Sequence, residues 1–286
     1  LGAATGAYAT TRFTSITDLY PERTATALGV CSAAGNVGTV VVPAAAGAVA
    51  VAAGWRLGFA GVAPLFALAA VGLWIAVPAR TSGATSALDE LSRATLARLV
   101  AGVLTPRTLV LTATMLLMSV VYQGFTSFYP TYLATTKGLS RGTAAVVYGA
   151  FFAAGIVVQP VAGAVADRVG DEPAAAGAAL AAAGALGALV TVDGLGPLVA
   201  VSLALAAQLG FWPVAQSAVI GSLPTEMQGT GFGFLRTVYL LVAAAAPTAV
   251  GGLADRGRFD EAFLLLGGCA LVAAGLALGL ALARRD

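Results

Sequence analysis

Arg12 is the residue whose surroundings most demand a chemical role. It stands in an apolar, Gly- and Ala-rich stretch about nine residues, or roughly 13 Å of helix, before Pro21. At that depth in hydrocarbon a guanidinium costs several kcal/mol unless it meets an anion, a protein partner or water. Thr5, Tyr8, Arg12 and Ser15 follow one another at spacings of three, four and three, which puts them on one helical face. Two more polar stripes share that periodicity. One is Ser119, Gln123, Thr126 and Pro130, with Tyr122, Phe125, Tyr129 and Tyr132 beside it; the other is Gln208, Trp212 and Gln216. Amides, hydroxyls, aromatic rings and one arginine are the groups that bind and orient a small polar solute. Taken singly, each stripe also reads as interhelical glue worth about 1 kcal/mol. Arg12 alone also reads as a structural arginine paired with an acid on another span.

The composition fixes the environment of these residues. Hydrophobic residues make up 59% of the chain and charged residues 10%, so there is too little polar surface to cover a soluble globule. The chain reads as a polytopic membrane protein. It has no histidine, which removes His-based metal sites, Ser-His-Asp triads and the His-Glu-x-x-His zinc motif. No Gly-x-Ser-x-Gly elbow is present either, and neither an enzyme nor a cofactor or metal is expected. Cys31 and Cys269 lie inside apolar runs and read as small buried thiols. A net charge of +2 with scattered basic residues argues against nucleic acid as a partner.

The elements that must position the stripes follow from the apolar runs. Spans are predicted over 1–17, 26–53 and 57–77, then over 109–133, 143–166, 174–192, 195–220, 231–253 and 262–283. Between the two groups lies a polar linker, 79–107, in which Ser86 and Asp89 mark the start of an amphipathic surface helix. Tyr20-Pro21-Glu-Arg, Pro43 and Trp55 recur as Leu223-Pro224-Thr-Glu, Pro247 and Phe259 at an offset of roughly 203 to 204 residues. The expected division is 1–78, 79–107 and 108–286. Leu1 opens within an apolar run without a methionine or basic lead, so the chain is expected to begin in mid-protein.

The stretch Gly163-Ala-Val-Ala-Asp167-Arg168-Val-Gly170-Asp171 reads as a charged turn at a membrane face. Asp167 closes a helix at the end where negative charge opposes the macrodipole, so it calls for a neighbouring helix N-terminus or an arginine. That makes it a latch between helices; the plain alternative is a solvated loop. Gly-x-x-x-Asp-Arg-x-Gly between two spans resembles the signature loop of the major facilitator superfamily, in its copy between the eighth and ninth spans.

The resemblance implies an all-α membrane protein of major-facilitator-type helical bundles. About nine transmembrane helices are expected, an incomplete N-terminal bundle and a complete six-helix C-terminal one, corresponding to spans four to twelve. It implies secondary transport of a small solute by alternating access, with the three stripes on the fourth, seventh and tenth spans around a central cavity. The implied substrate site is Tyr8, Arg12, Tyr122, Gln123, Tyr129, Gln208, Trp212 and Gln216. Gly163, Asp167, Arg168, Gly170, Asp18, Arg23, Pro43 and Pro247 form the implied conformational set. Family members that carry an arginine ten residues before the Glu-Arg of the next loop, as Arg12 precedes Glu22, tilt the substrate toward an organic anion. Gly29, Gly38, Pro43 and Gly47 partly resemble the fifth-span motif of proton-driven drug antiporters, so drug efflux is one alternative. A non-transporting fragment or membrane scaffold is another.

Arg236 is expected to snorkel to the cytoplasmic face or to pair with an acid there. Arg23, Arg80, Arg93, Arg98, Arg107, Arg168, Arg284 and Arg285 outnumber the basic residues of the opposite loops, which puts the linker and C-terminus in the cytoplasm. The expected partners are a small-molecule substrate and the lipid bilayer, with a coupling proton or ion left open. A monomeric, multi-pass protein of the plasma membrane is expected.

Overall fold

A backbone crossing hydrocarbon finds no water for its N–H and C=O groups, so each apolar run must satisfy them within a helix. In the computed structural model, which describes residues 12, 15, 16, 19–76, 105–224 and 228–284, no strand occurs among the described residues. Arg12, Ser15, Ile16 and Leu19 are helical, and a short 3-10 turn, Pro21–Arg23, leads into the first long helix. We number the α-helices α1 (Thr24–Ala53), α2 (Trp55–Ala60), α3 (Ala63–Ala76), α4 (Pro106–Thr135), α5 (Arg141–Val169) and α6 (Asp171–Thr191). They continue as α7 (Leu195–Leu205), α8 (Ala207–Ser222), α9 (Gln228–Ala243), α10 (Ala246–Ala254) and α11 (Phe259–Ala283). Seven stretches among the described residues are long and apolar enough to cross a membrane, and six of them follow residue 105. Tyr8, Asp18, most of the first predicted span, and the linker helix with Ser86 and Asp89 lie outside the described residues, as does the side chain of Pro43.

The helices overrun the apolar runs because their first turns are capped. Thr105 accepts from Thr108 N at 3.2 Å ahead of Pro106, which has no N–H to leave unbonded. Ser140 does the same for α5 through Thr143 N at 3.1 Å. The charged turn expected over 163–171 is a correction. Helix α5 runs through Asp167 and Arg168 to Val169, and Gly170 alone, at φ 98°, turns the chain into α6. A glycine at that φ reverses direction without strain, so no longer loop is needed. Three predicted spans are each broken in two: 57–77 at Gly61 and Val62, 195–220 at Ala206, and 231–253 just before Pro247, which sits in the first turn of α10.

Proline explains two of the contacts that tie α5 to its neighbours. Pro130 has no N–H for the carbonyl of Thr126, and the Tyr148 hydroxyl of α5 donates to that oxygen at 3.1 Å. Pro213 likewise frees the carbonyl of Leu209, and Gln159 Nε2 of α5 donates to it at 3.3 Å. Helix α5 thus splints both kinked helices. Phe125, Phe151 and Phe263 pack edge-to-face as an aromatic core joining α4, α5 and α11. Large apolar side chains point outward instead of hiding: Trp74 is 89% exposed and Leu241 74%, a surface suited to lipid.

Polar contacts collect at the two ends of the bundle. At one end Asp167 meets Thr26, and Glu172 meets Arg107 and Arg284. At the other, Lys137 meets Asp193, and the Tyr132 hydroxyl donates to Asp260 at 2.6 Å.

Candidate functional site

Glycines bring α1 and α5 into backbone contact. A Cβ on Gly163 would collide with the carbonyl of Ala25, one on Gly29 with the carbonyl of Gln159, and one on Gly155 with the Asn36 amide. Only residues without a side chain allow this approach, the arrangement by which helices gain van der Waals contact in lipid. Ala25, Leu28, Gly29, Ala33 and Asn36 are buried residues in the first half of α1.

Two polar contacts secure this seal. At its outer end Asp167 Oδ2 accepts from Thr26 N at 3.2 Å and from Thr26 Oγ1 at 2.5 Å. The carboxylate therefore meets the Thr26 N–H in the first turn of α1, where the helix dipole favours negative charge. This is the neighbouring helix N-terminus that the sequence called for. At its inner end Asn36 Nδ2 donates to Gln159 Oε1 at 3.1 Å, and Gln159 in turn donates to the proline-freed carbonyl of Leu209. Three helices are joined by one buried pair of amides.

Directly against that pair lies a cavity of about 290 Å³. Arg12 lines it, with Ser119, Tyr122 and Gln123 of α4, Trp212 and Gln216 of α8, and Ser32, Asn36 and Gln159 at the seal. Five of the eight predicted substrate residues, Arg12, Tyr122, Gln123, Trp212 and Gln216, therefore come together. Trp212 forms an aromatic wall, edge-on to Tyr122 at 5.9 Å and tilted against Tyr239 at 6.5 Å between ring centroids. Gln216 is 8% exposed, and its Oε1 is buried without a hydrogen-bond partner among the described residues.

Two predicted residues lie elsewhere. Tyr129 sits two turns, roughly 10 Å, along α4 from Tyr122, inside the aromatic core. Ser202 Oγ donates to Leu198 O, so the Tyr129 hydroxyl is left to donate to Ser202. Gln208, one turn from Trp212, is fully buried and outside the cavity lining.

Arg236, expected to snorkel to the cytoplasmic face or to pair with an acid there, lines the cavity. Helix α9 begins at Gln228, so Arg236 is eight residues in, roughly 12 Å from its start. Phe232, Leu235, Tyr239 and Ala243 are buried around it, while Phe234, Val238 and Leu241 are exposed on the opposite side. The buried face delivers Arg236 and Tyr239 to the cavity. The signal was available in the 3.6-residue period of these apolar residues, which places Arg236 beside the buried face of α9. Asn36 and Gln159 were missed as single amides in long apolar runs; the prolines that free nearby carbonyls were their only sequence trace.

Glu172, in the first turn of α6, is a buried carboxylate. Arg107 Nη2 lies 2.6 Å from Oε1 and Arg284 Nη1 2.9 Å from Oε2, which ties together the ends of α4, α6 and α11. The cluster is remote in role from the cavity: it joins helices that already pack on one another.

Membrane-length helices around a polar cavity, closed at one end by a contact of glycines and one carboxylate, define a membrane transporter. The family model of the Major Facilitator Superfamily matches residues 1–247. The chain therefore belongs to that superfamily and is a secondary transporter of small molecules across a lipid bilayer. No curated protein matches it.

Proposed function

We propose that the solute is a small organic anion, bound at Arg12 and carried by alternating access. The observation that carries this reading is the company Arg12 keeps: it shares one cavity with Gln123, Trp212 and Gln216. A guanidinium within a membrane bundle offers a carboxylate two parallel hydrogen bonds, while the amides and the Trp212 face set shape and orientation. Asp167 is then the latch of the state closed at its own, cytoplasmic, face, because its bond to Thr26 has to break for α1 and α5 to part. The working division is a transmembrane region over 1–78, a linker over 79–107 and a six-span bundle over 108–286, in the plasma membrane.

The test is uptake of radiolabelled carboxylates by proteoliposomes holding the chain. Arg12→Gln should abolish it. Arg12→Lys should keep a fraction, since an ammonium keeps the charge but not the planar fork. Normal uptake by Arg12→Gln would sink the anion reading and favour a neutral or cationic, drug-like substrate.

A further inference from the structure

Trp212 is the large side chain that α8 leaves uncovered. Between residues 207 and 220 every residue except Ala207, Trp212 and Ser217 is buried, because α8 packs against α1, α4, α5 and α6. Of those three, Trp212 alone borders the cavity. Tyr122 of α4 is likewise only partly buried and borders the same space, set nearly at right angles to the indole with 83° between the ring planes. Tyr239, 2% exposed, backs the indole from α9 with 30° between the planes. The three rings make an aromatic corner that the protein itself does not fill. Aromatic side chains contribute through burial, each covering roughly 150–250 Å² when packed, so an open corner inside a bundle leaves that contact to the solute. A flat ring laid on one face of the corner turns its edge to the other, and aromatic pairs favour both arrangements at centroid separations of roughly 4.5–7 Å. Amides flank the corner: Gln123 follows Tyr122 in the chain, and Gln216 lies one turn beyond Trp212. The lining therefore changes from aromatic to polar within one turn, which suits a solute with a flat apolar end and a polar end.

We propose that the solute carries an aromatic ring that packs into the corner of Trp212 and Tyr122, and that these two side chains select a flat ring over an aliphatic one. The substrate class is then an aromatic carboxylate, in which the carboxylate rests on the anion reading above and the ring rests on the corner. Trp212 and Tyr122 come from α8 and α4, so the ring is held by the bundle that follows residue 105, whereas Arg12 comes from the stretch before Pro21. The two ends of the solute are thus read by separate parts of the chain.

The experiment measures equilibrium binding of benzoate and cyclohexanecarboxylate to the purified full chain in detergent. The two have the same charge and carbon count and differ in flatness and in the π-system of the ring. Benzoate is expected to bind roughly threefold to tenfold more tightly. Trp212→Leu should bring that ratio to about one, while Trp212→Phe should keep most of it, since a phenyl ring still offers a face. Should Trp212→Leu fail to fold, Tyr122→Leu takes its place, with Tyr122→Phe as the variant that keeps the ring. The proposal is overturned if cyclohexanecarboxylate binds the unaltered chain as tightly as benzoate, or if the preference survives the leucine variant. Benzyl alcohol and cyclohexylmethanol form a second pair that separates this outcome from failure of the anion reading. If the alcohols show the ring preference while the carboxylates do not bind, or if Arg12→Gln leaves benzoate binding unchanged, the charge assignment falls and the ring assignment stands. If neither benzoate nor benzyl alcohol binds, the ring assignment falls.

Discussion

Gln159 and Gln216 line the same cavity, are both nearly fully buried, and use their amides in opposite ways. Gln159 accepts from Asn36 and donates to the Leu209 carbonyl, so each end of its amide is taken by protein. Gln216 keeps a buried oxygen without a partner among the described residues. The difference separates the seal from the site. Where the protein pairs its own polar groups, it fixes three helices in one geometry; where it leaves an acceptor open toward a cavity, only a ligand or water can complete it. Asn36 and Gln159 belong to both regions, since they pair across α1 and α5 and also line the cavity.

The comparison is broken most severely by Gln159→Leu. That change strands the Asn36 amide donor and the proline-freed carbonyl of Leu209, each worth about 1–3 kcal/mol when buried without a partner. The purified protein should lose several degrees of melting temperature, and more than with Gln216→Leu, which removes an acceptor already unpaired. Equal losses from the two changes would show that the paired and unpaired amides do not differ.

Gly163→Val comes next. A side chain there meets the backbone of Ala25 and Thr26, which cannot move aside as a flexible side chain would, and overpacking of this kind costs about 1–3 kcal/mol. Transport should fall roughly tenfold or more through loss of the closed state. Gly149→Val, on the same helix but with nothing near its would-be Cβ, is the control and should transport normally. If both variants behave alike, the glycine contact does not gate transport.

Asp167→Asn is milder, since the amide oxygen can still accept from Thr26. The charge is what is lost, and a cap of this type is worth about 0.5–2 kcal/mol. Turnover should slow a few-fold with substrate affinity nearly unchanged. Weaker binding at normal turnover would move Asp167 from the seal to the site.

Much of this contrast was legible in the residues. The six spans after residue 105 followed from apolar run length, and the stripes containing Arg12, Gln123 and Trp212 followed from spacings of three and four. The contact of Asp167 with the first turn of a neighbouring helix followed from the sign of its charge at a helix end. Arg236 was read from its nearness to the start of the span at residue 231, although the 3.6-residue period of Phe232, Leu235 and Tyr239 brings it to the cavity side of α9. Asn36 and Gln159 were invisible because 123 residues separate them, and no local pattern announces a pair that only tertiary packing brings together. The partners of Glu172, Arg107 and Arg284, are likewise ones that local spacing cannot find.

Gln208→Leu should have the smallest effect, and it tests the comparison at its weakest point. Both Gln208 Nε2 and Oε1 are buried without a partner among the described residues, like Oε1 of Gln216, yet Gln208 is outside the cavity lining. An unpaired amide that no solute reaches contributes only its desolvation cost, and an apolar side chain of similar volume removes that cost. The variant should therefore melt at the same temperature or slightly higher, with transport within about twofold of normal, whereas Gln216→Leu should weaken solute binding. If Gln208→Leu instead stopped transport without lowering the melting temperature, Gln208 would have to reach the solute when α8 moves about the break at Ala206. The orphaned amides would then mark successive positions of one substrate path, and access to the cavity in a single state would no longer separate site from packing.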